Sequence, residues 1–312
     1  MTAQMMVSLL LKALGPVAFG IALGYLAGRM KLISEEGARN FSGYVVTFAL
    51  PILLFVSAFN FTPAQLEDPP YILAIVFSLV GIFVLGGLIG HWVFKLPVAE
   101  TGLFACNSGF PDMAFFGLPV LLAVVGAGAL LPVIIGNLVT SIVMVPIIVF
   151  MLQQGSARAS VLSMVLGTLK QPVVWAPVLG LVLVLAGIKL PLAATDSLQL
   201  IGGTAGGIAL FTLGVILSRL PFQFNLSVLA VVVLKNIVMP LAALMLCRLL
   251  SVESSLAKGV VIIAACPSGT IGAMLSSKFS VGQRSIPAEI LASNAIGIVS
   301  MAVWVAMVSV AF

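Results

Sequence analysis

Apolar residues in this chain come in long runs, and the polar residues gather in short groups between them. The runs lie at about 6–28, 38–60, 71–94, 101–127, 130–152, 170–188, 197–218, 226–249, 257–278 and 287–310, each near the roughly 20 residues that a helix needs to cross the hydrocarbon layer. This pattern predicts an all-α polytopic membrane protein with ten transmembrane helices. The first run is too long for the apolar region of a signal peptide. With Gly24, Gly28 and the basic turn after it, it reads as a retained first helix.

The fourth run breaks its own pattern. Residues 105–119 contain Pro111 and Pro119, which remove backbone donors, and Gly109 and Gly117, which loosen the helix around them. They also hold Asp112 near mid-span, where an ionised side chain costs roughly 2.5–3.5 kcal/mol on insertion scales. Backbone broken at that depth requires a cavity or protein around it. The ninth run is interrupted likewise by Pro267, Gly269 and Gly272, beside Ser268 and Thr270.

The two halves of the chain also match. Ala105-Cys106-Asn107-Ser108-Gly109 resembles Ala265-Cys266-Pro267-Ser268-Gly269 at an offset of 160, and Ala49-Leu50 resembles Ala209-Leu210 at the same offset. Pro16-Val17 and Leu23-Gly24 match Pro172-Val173 and Leu179-Gly180 at an offset of 156. The polar stretch 153–160 reads as the linker between the halves, residues 1–155 and 156–312. Five helices per half is an odd number, so the second half enters the membrane from the opposite side. The expectation is two inverted five-helix repeats, with the broken helices 4 and 9 crossing.

Composition supports the class. Of 312 residues, 62% are hydrophobic and 7% charged, more apolar surface than a soluble fold can hide. The net charge of +5 is spread over segment ends, so it points away from nucleic acid and toward topology. Nine Lys and Arg fall on one side and Lys12, Lys189, Arg248 and Lys258 on the other, with Lys235 inside a span. The nine-residue side is therefore expected to be cytoplasmic and both termini external. The loop at 61–70, with Glu67 and Asp68 and no base, agrees. Cys106, Cys247 and Cys266 lie in apolar segments and His91 is the single histidine, so neither a disulfide framework nor a metal site is expected. The sequence has no zinc-protease motif, paired acids, Ser/His arrangement or nucleotide loop, which argues against an enzyme.

With these features the chain resembles the auxin efflux carrier family in its short bacterial form, over essentially its whole length. The family's fourth helix often carries Asn-x-Gly-aromatic-x-Gly-x-Pro; the matching residues are Asp112-Met113-Ala114-Phe115-Phe116-Gly117-Leu118-Pro119, with Asp112 in place of Asn and Ala114 in place of Gly. Phe48-Ala49-Leu50-Pro51, Lys235 followed by Pro240, and Pro267 at the second crossover proline complete the likeness. The resemblance implies a scaffold of helices 1, 2, 6 and 7, a moving bundle of the rest, and a site beside the crossing. It also implies a bacterial inner membrane, homodimerisation through the scaffold, and a carboxylate such as malonate or malate as substrate.

The expected function is secondary active transport of a small organic anion by an elevator-like shift of the bundle, coupled to a proton or sodium ion and with no bound cofactor. An uncoupled carrier and a channel are the alternatives. Asp112 is the candidate coupling carboxyl, or else a structural acid paired with Lys235. Lys235 could instead neutralise the substrate, or snorkel toward the interface. Asn107, Ser108, Asn137, Ser268, Thr270 and Asn294 are candidate substrate ligands, and Thr47 a candidate on the scaffold side. The broken helix ends would add free N–H groups suited to a carboxylate; the alternative for these side chains is to cap freed backbone. Pro111, Pro119, Pro267 and Gly269 are the candidate crossover positions.

Overall fold

Capping residues and prolines decide where the apolar runs become helices. In the computed structural model, residues 3–60, 68–117, 120–121, 124–125, 130–154, 170, 172–219 and 225–312 are described, and every regular element among them is helical. After α1 (Ala3–Arg29), α2 (Glu35–Tyr44) begins where the Ser34 hydroxyl accepts from the Gly37 N–H, with Glu35 and Glu36 at the positive end of the dipole. It continues through a π-helical turn, Val45–Ala49, into α3 (Leu50–Phe59). The Asp68 carboxylate accepts from the Tyr71 N–H to start α4 (Pro69–Leu88), which ends in a second π turn, Ile89–Val93. Then come α5 (Val98–Gly109), a π turn at Met113–Gly117, α6 (Leu130–Val139), a π turn at Thr140–Met144 and α7 (Val145–Gln153). The second half holds α8 (Pro172–Leu185), α9 (Leu192–Gly202), α10 (Thr204–Leu217), α11 (Leu226–Val233), a π turn at Leu234–Val238, α12 (Met239–Leu249), α13 (Ser254–Ala265), α14 (Ile271–Phe279) and α15 (Ser285–Ala311). Of the features expected from sequence, Pro119, Glu67 and residues 155–160 of the linker lie outside the described residues.

Three of the π turns stand just ahead of a proline: Pro51, Pro146 and Pro240. A proline cannot donate to the carbonyl one turn back and its ring crowds that carbonyl, so the preceding turn widens. At Pro240 the freed carbonyl is that of Asn236, and the Trp304 indole N–H donates to it at 2.9 Å.

By length and composition, five helical runs among the described residues can cross a membrane: Glu35–Val56, Pro69–Val93, Leu131–Gln153, Leu192–Ile216 and Leu226–Leu249. A sixth is α15, if its parts Ser285–Gly297 and Val299–Ala311, bent by 47°, count as one span. α5 and α13 are each 12 residues long. At about 1.5 Å per residue each reaches only about 18 Å, a little over half of the hydrocarbon layer. The fourth and ninth apolar runs are thus half-helices followed by a break, as expected.

Glycine sets the closest packing. A Cβ on Gly24 would lie 1.9 Å from the Phe211 carbonyl oxygen, and one on Gly180 would lie 2.5 Å from that of Phe55. Only glycine permits such an approach. These contacts join α1 to α10 and α8 to α3. Gly180 lies 156 positions after Gly24 (180 less 24), and Phe211 lies 156 after Phe55 (211 less 55), so the two contacts exchange at the offset read from the sequence.

Candidate functional site

The breaks in the fourth and ninth runs meet. α5 ends at Gly109, where a Cβ would come within 2.7 Å of the Phe83 backbone, and α13 ends at Ala265 ahead of Pro267. The Asp112 N–H donates to the Pro267 carbonyl at 2.9 Å, and the Gly269 N–H donates to the Phe110 carbonyl at 2.9 Å. Pro111 and Ser268 lie opposite each other as one antiparallel bridge. Two half-helices whose ends lack intrahelical partners thus satisfy each other. The Ser268 hydroxyl adds a bond to the Asn107 carbonyl at 2.6 Å.

The register at the crossing differs from the sequence match. Phe110 with Pro267, and Asp112 with Gly269, are both 157 positions apart (267 less 110, 269 less 112), rather than 160. The reason is helix length past the shared Ala-Cys pair. Ala265 is the last residue of α13, whereas α5 runs four residues beyond Ala105, to Gly109.

Beside the crossing is a cavity bounded by Pro111, Asp112, Thr270 and Met274 on one side and Leu50, Leu54, Ala205 and Ala209 on the other, with Asn137 of α6 at its margin. It offers about 60 Å³ to water-sized bodies, and each needs roughly 10–15 Å³. That is room for a ligand of a few heavy atoms. Asp112 is 5% exposed and Thr270 7%. α14 begins immediately after Thr270, whose own side chain makes no cap bond to it. The positive end of that helix therefore opens beside the cavity.

A second cavity, of about 540 Å³, lies along the same elements nearer their basic end. α2, α10 and α14 contribute to it, and Arg39, Arg219 and Arg284 stand around it with Ser276, Ser277 and Gln283. All three arginines are exposed. Arg219 also donates to the Ile33 carbonyl.

The residues singled out from sequence separate into two groups. Asp112, Asn137, Thr270, Pro111 and Gly269 line the smaller cavity. Asn107, Ser108, Ser268, Asn294 and Lys235 are buried behind the crossing and hold it together. The Asn294 amide donates to the carbonyls of Ser268, at 3.0 Å, and Ile290, at 2.9 Å. Ser108 donates within its own helix to the Phe104 carbonyl at 2.8 Å. Lys235 does not snorkel: fully buried, it donates to the Ala264 carbonyl at 2.8 Å and faces the Met239 sulfur at 3.1 Å. Its ammonium sits on the last turn of α13, where a cation offsets the negative helix end. Thr47, half-buried, receives the Lys278 ammonium at 3.4 Å and is not at the cavity.

Three of the buried polar residues not singled out from sequence bear on the crossing. Asn236 donates to the Ser293 carbonyl at 2.8 Å and accepts from the Ser293 hydroxyl at 2.7 Å, and that hydroxyl accepts from the Ser268 N–H at 3.0 Å. These bonds tie α15 and the π turn of α11–α12 to the second break. The third residue, Glu289, is 1% exposed and accepts from the Asn107 amide at 2.7 Å. Among the acids, Asp112 alone was a candidate from sequence, and it is the one acid among the residues that line the smaller cavity. The signal for Glu289 was an acid one turn inside the tenth apolar run, a position that also suits an interfacial residue.

A chain of apolar helices, two of them broken and joined inside the fold beside a small, mainly apolar cavity that Asp112, Asn137 and Thr270 also line, is the architecture of a membrane transport protein. The profile of the family described as membrane transport proteins matches residues 9–305, and the chain belongs to this family, the auxin efflux carriers. It is 32% identical over 300 residues to the uncharacterized transporter YfdV of Escherichia coli K12, covering 93% of this chain and 95% of that protein. It is 23% identical over 297 residues to the uncharacterized transporter MJ1031 of Methanocaldococcus jannaschii, covering 91% and 94%.

Proposed function

We propose that this protein is a secondary active transporter of a small organic anion, a mono- or dicarboxylate of the malonate or malate type, taken up together with a cation. The observation that carries the reading is the cavity beside the crossing. Thr270 and Asn137 offer neutral polar side chains, the start of α14 offers the positive end of a helix, and Asp112 offers one carboxyl. The first two features suit a carboxylate. The third opposes it: two unit charges about 4 Å apart repel by about 4 kcal/mol at an effective dielectric of 20. A proton or sodium ion on Asp112 removes that repulsion, so anion and cation enter together.

On this reading the ten apolar runs form two inverted repeats of five. The reciprocal contacts of Gly24 with Phe211 and of Gly180 with Phe55, and the exchanged hydrogen bonds at the crossing, support it. α1, α2–α3, α8 and α9–α10 make the scaffold, and the bundle carrying the crossing slides against it. The arginine-lined cavity is the vestibule on the basic side, cytoplasmic by the distribution of Lys and Arg. The membrane is a bacterial inner membrane, with both termini outside.

The test is counterflow. Proteoliposomes loaded with malonate should take up labelled malonate from outside, saturably, and unlabelled malate should compete. Uptake that never saturates would make the protein a channel. No exchange with malonate, malate or any short monocarboxylate would end the anion reading.

A further inference from the structure

We propose that Glu289 is a second proton-binding carboxyl of the transport cycle, in proton exchange with the basic face and carried within the same bundle as Asp112. The inference rests on the reading of the protein as a coupled anion carrier and adds a site to it. Glu289 is 1% exposed, and its two hydrogen-bond partners among the described residues, Asn107 and Ser227, are both uncharged. An ionised acid at such a position costs several kcal/mol, and acids of this kind mark proton relays.

Its surroundings suit a proton better than a metal ion. Oε2 accepts from Asn107 Nδ2, and that N–H faces away a metal cation. Among the described residues no group of three or more His, Cys, Asp or Glu side chains could hold a metal ion, whereas hard cations take several oxygens. Oε1 lies 3.4 Å from Ser227 Oγ. That hydroxyl reaches Asn225 Oδ1 at 2.8 Å as well, so its one proton can go to an ionised Oε1, or to Asn225 while a lone pair accepts from a protonated Oε1. Asn225 is exposed at the start of α11, so one hydroxyl separates the carboxyl from the surface.

The titratable groups that face Glu289 are Cys106 and Glu100, both on α5. Of the nearby cations, Lys235 donates to the Ala264 carbonyl, Lys278 donates to the Thr47 hydroxyl, and Arg284 stands exposed at the start of α15. Along α15, Glu289 precedes Asn294, which bonds the crossing, by five residues, or about 7.5 Å toward the basic face. Asn107 then links it to the crossing directly, because the Asn107 carbonyl holds Ser268. A dianion that enters with protons on both Asp112 and Glu289 adds no net charge to the bundle.

Two measurements test this. With malonate in voltage-clamped proteoliposomes, a gradient of one pH unit sustains about 100-fold accumulation for two protons per dianion and about 10-fold for one, each proton contributing the equivalent of about 1.4 kcal/mol. Wild type should approach the first limit and Glu289→Gln the second. Equal accumulation in both, or accumulation that follows sodium instead, would overturn the proposal. The second measurement is infrared titration of carboxyl C=O bands in substrate-free proteoliposomes. Glu289→Gln should remove one titrating band; an unchanged set of bands would overturn the proposal. Ser227→Ala, which keeps the carboxyl, should slow that band's response to a pH jump on the basic side, and an unaltered response would count against the route. A wild type without counterflow would sink the carboxylate reading alone, since the infrared result judges Glu289 by itself.

Discussion

The two breaks of the crossing have the same backbone and opposite chemistry. Each follows a 12-residue helix, and each gives and receives one 2.9 Å hydrogen bond from the other. The first break carries Asp112 at the cavity and is backed by Asn107 and Glu289. The second has no acid; Lys235 caps its helix end, and Asn236, Ser293 and Asn294 hold its loop. Backbone pairing makes a broken helix tolerable in a membrane and needs no particular side chain. Charge is free to differ between the halves, and on the proposed function that difference puts the coupling acid at the cavity and the structural base behind the crossing.

The largest expected effect comes from forcing the first break apart. Gly109→Val places side-chain atoms against the Phe83 backbone, 2.7 Å from where Cβ must sit. Overpacking of this kind costs about 1–3 kcal/mol or more when neither side can yield. Little monodisperse protein should survive size-exclusion chromatography, while Gly207→Ala, with nothing within 4 Å, should behave as wild type.

Lys235→Met sharpens the contrast between base and acid. It leaves the Ala264 carbonyl without its donor in a buried site, at a cost of about 1–3 kcal/mol. The thermal midpoint should fall by several degrees. Asp112→Asn should lower it less, because the tie to Pro267 is made by the Asp112 backbone N–H. Its effect belongs in transport: pH-driven accumulation of malonate should drop about tenfold per pH unit if one coupled proton is lost. A midpoint more sensitive to Asp112 than to Lys235 would reverse the assignment.

Smaller changes test the cavity. Thr270→Val removes a hydroxyl from its lining, and a hydrogen bond to a charged group is worth about 1.5–3 kcal/mol. The half-saturating malonate concentration should rise by about tenfold or more in counterflow. Ser268→Ala, which loses only the bond to the Asn107 carbonyl, should cost about 1 kcal/mol of stability and leave that concentration in place.

Much of this was legible in the order of residues. Membrane class follows from the apolar runs, because no soluble core could hide them. The two interruptions follow from Pro111, Gly109, Pro267 and Gly269, because a residue without an N–H or a Cβ changes the local backbone wherever it stands. The offset of 156 in the scaffold was visible because Gly24 and Gly180 each have to be glycine. What the folded chain alone decided is which way the polar side chains face. Asn107 and Thr270 look equivalent in sequence, yet one bonds Glu289 behind the crossing and the other borders the cavity. The offset of 157 at the crossing likewise came from where α5 and α13 stop, and those ends are set by Phe83 and Pro267 packed around them. A side chain's partners come from other helices, and an apolar run fixes that a helix crosses without fixing its rotation about its own axis.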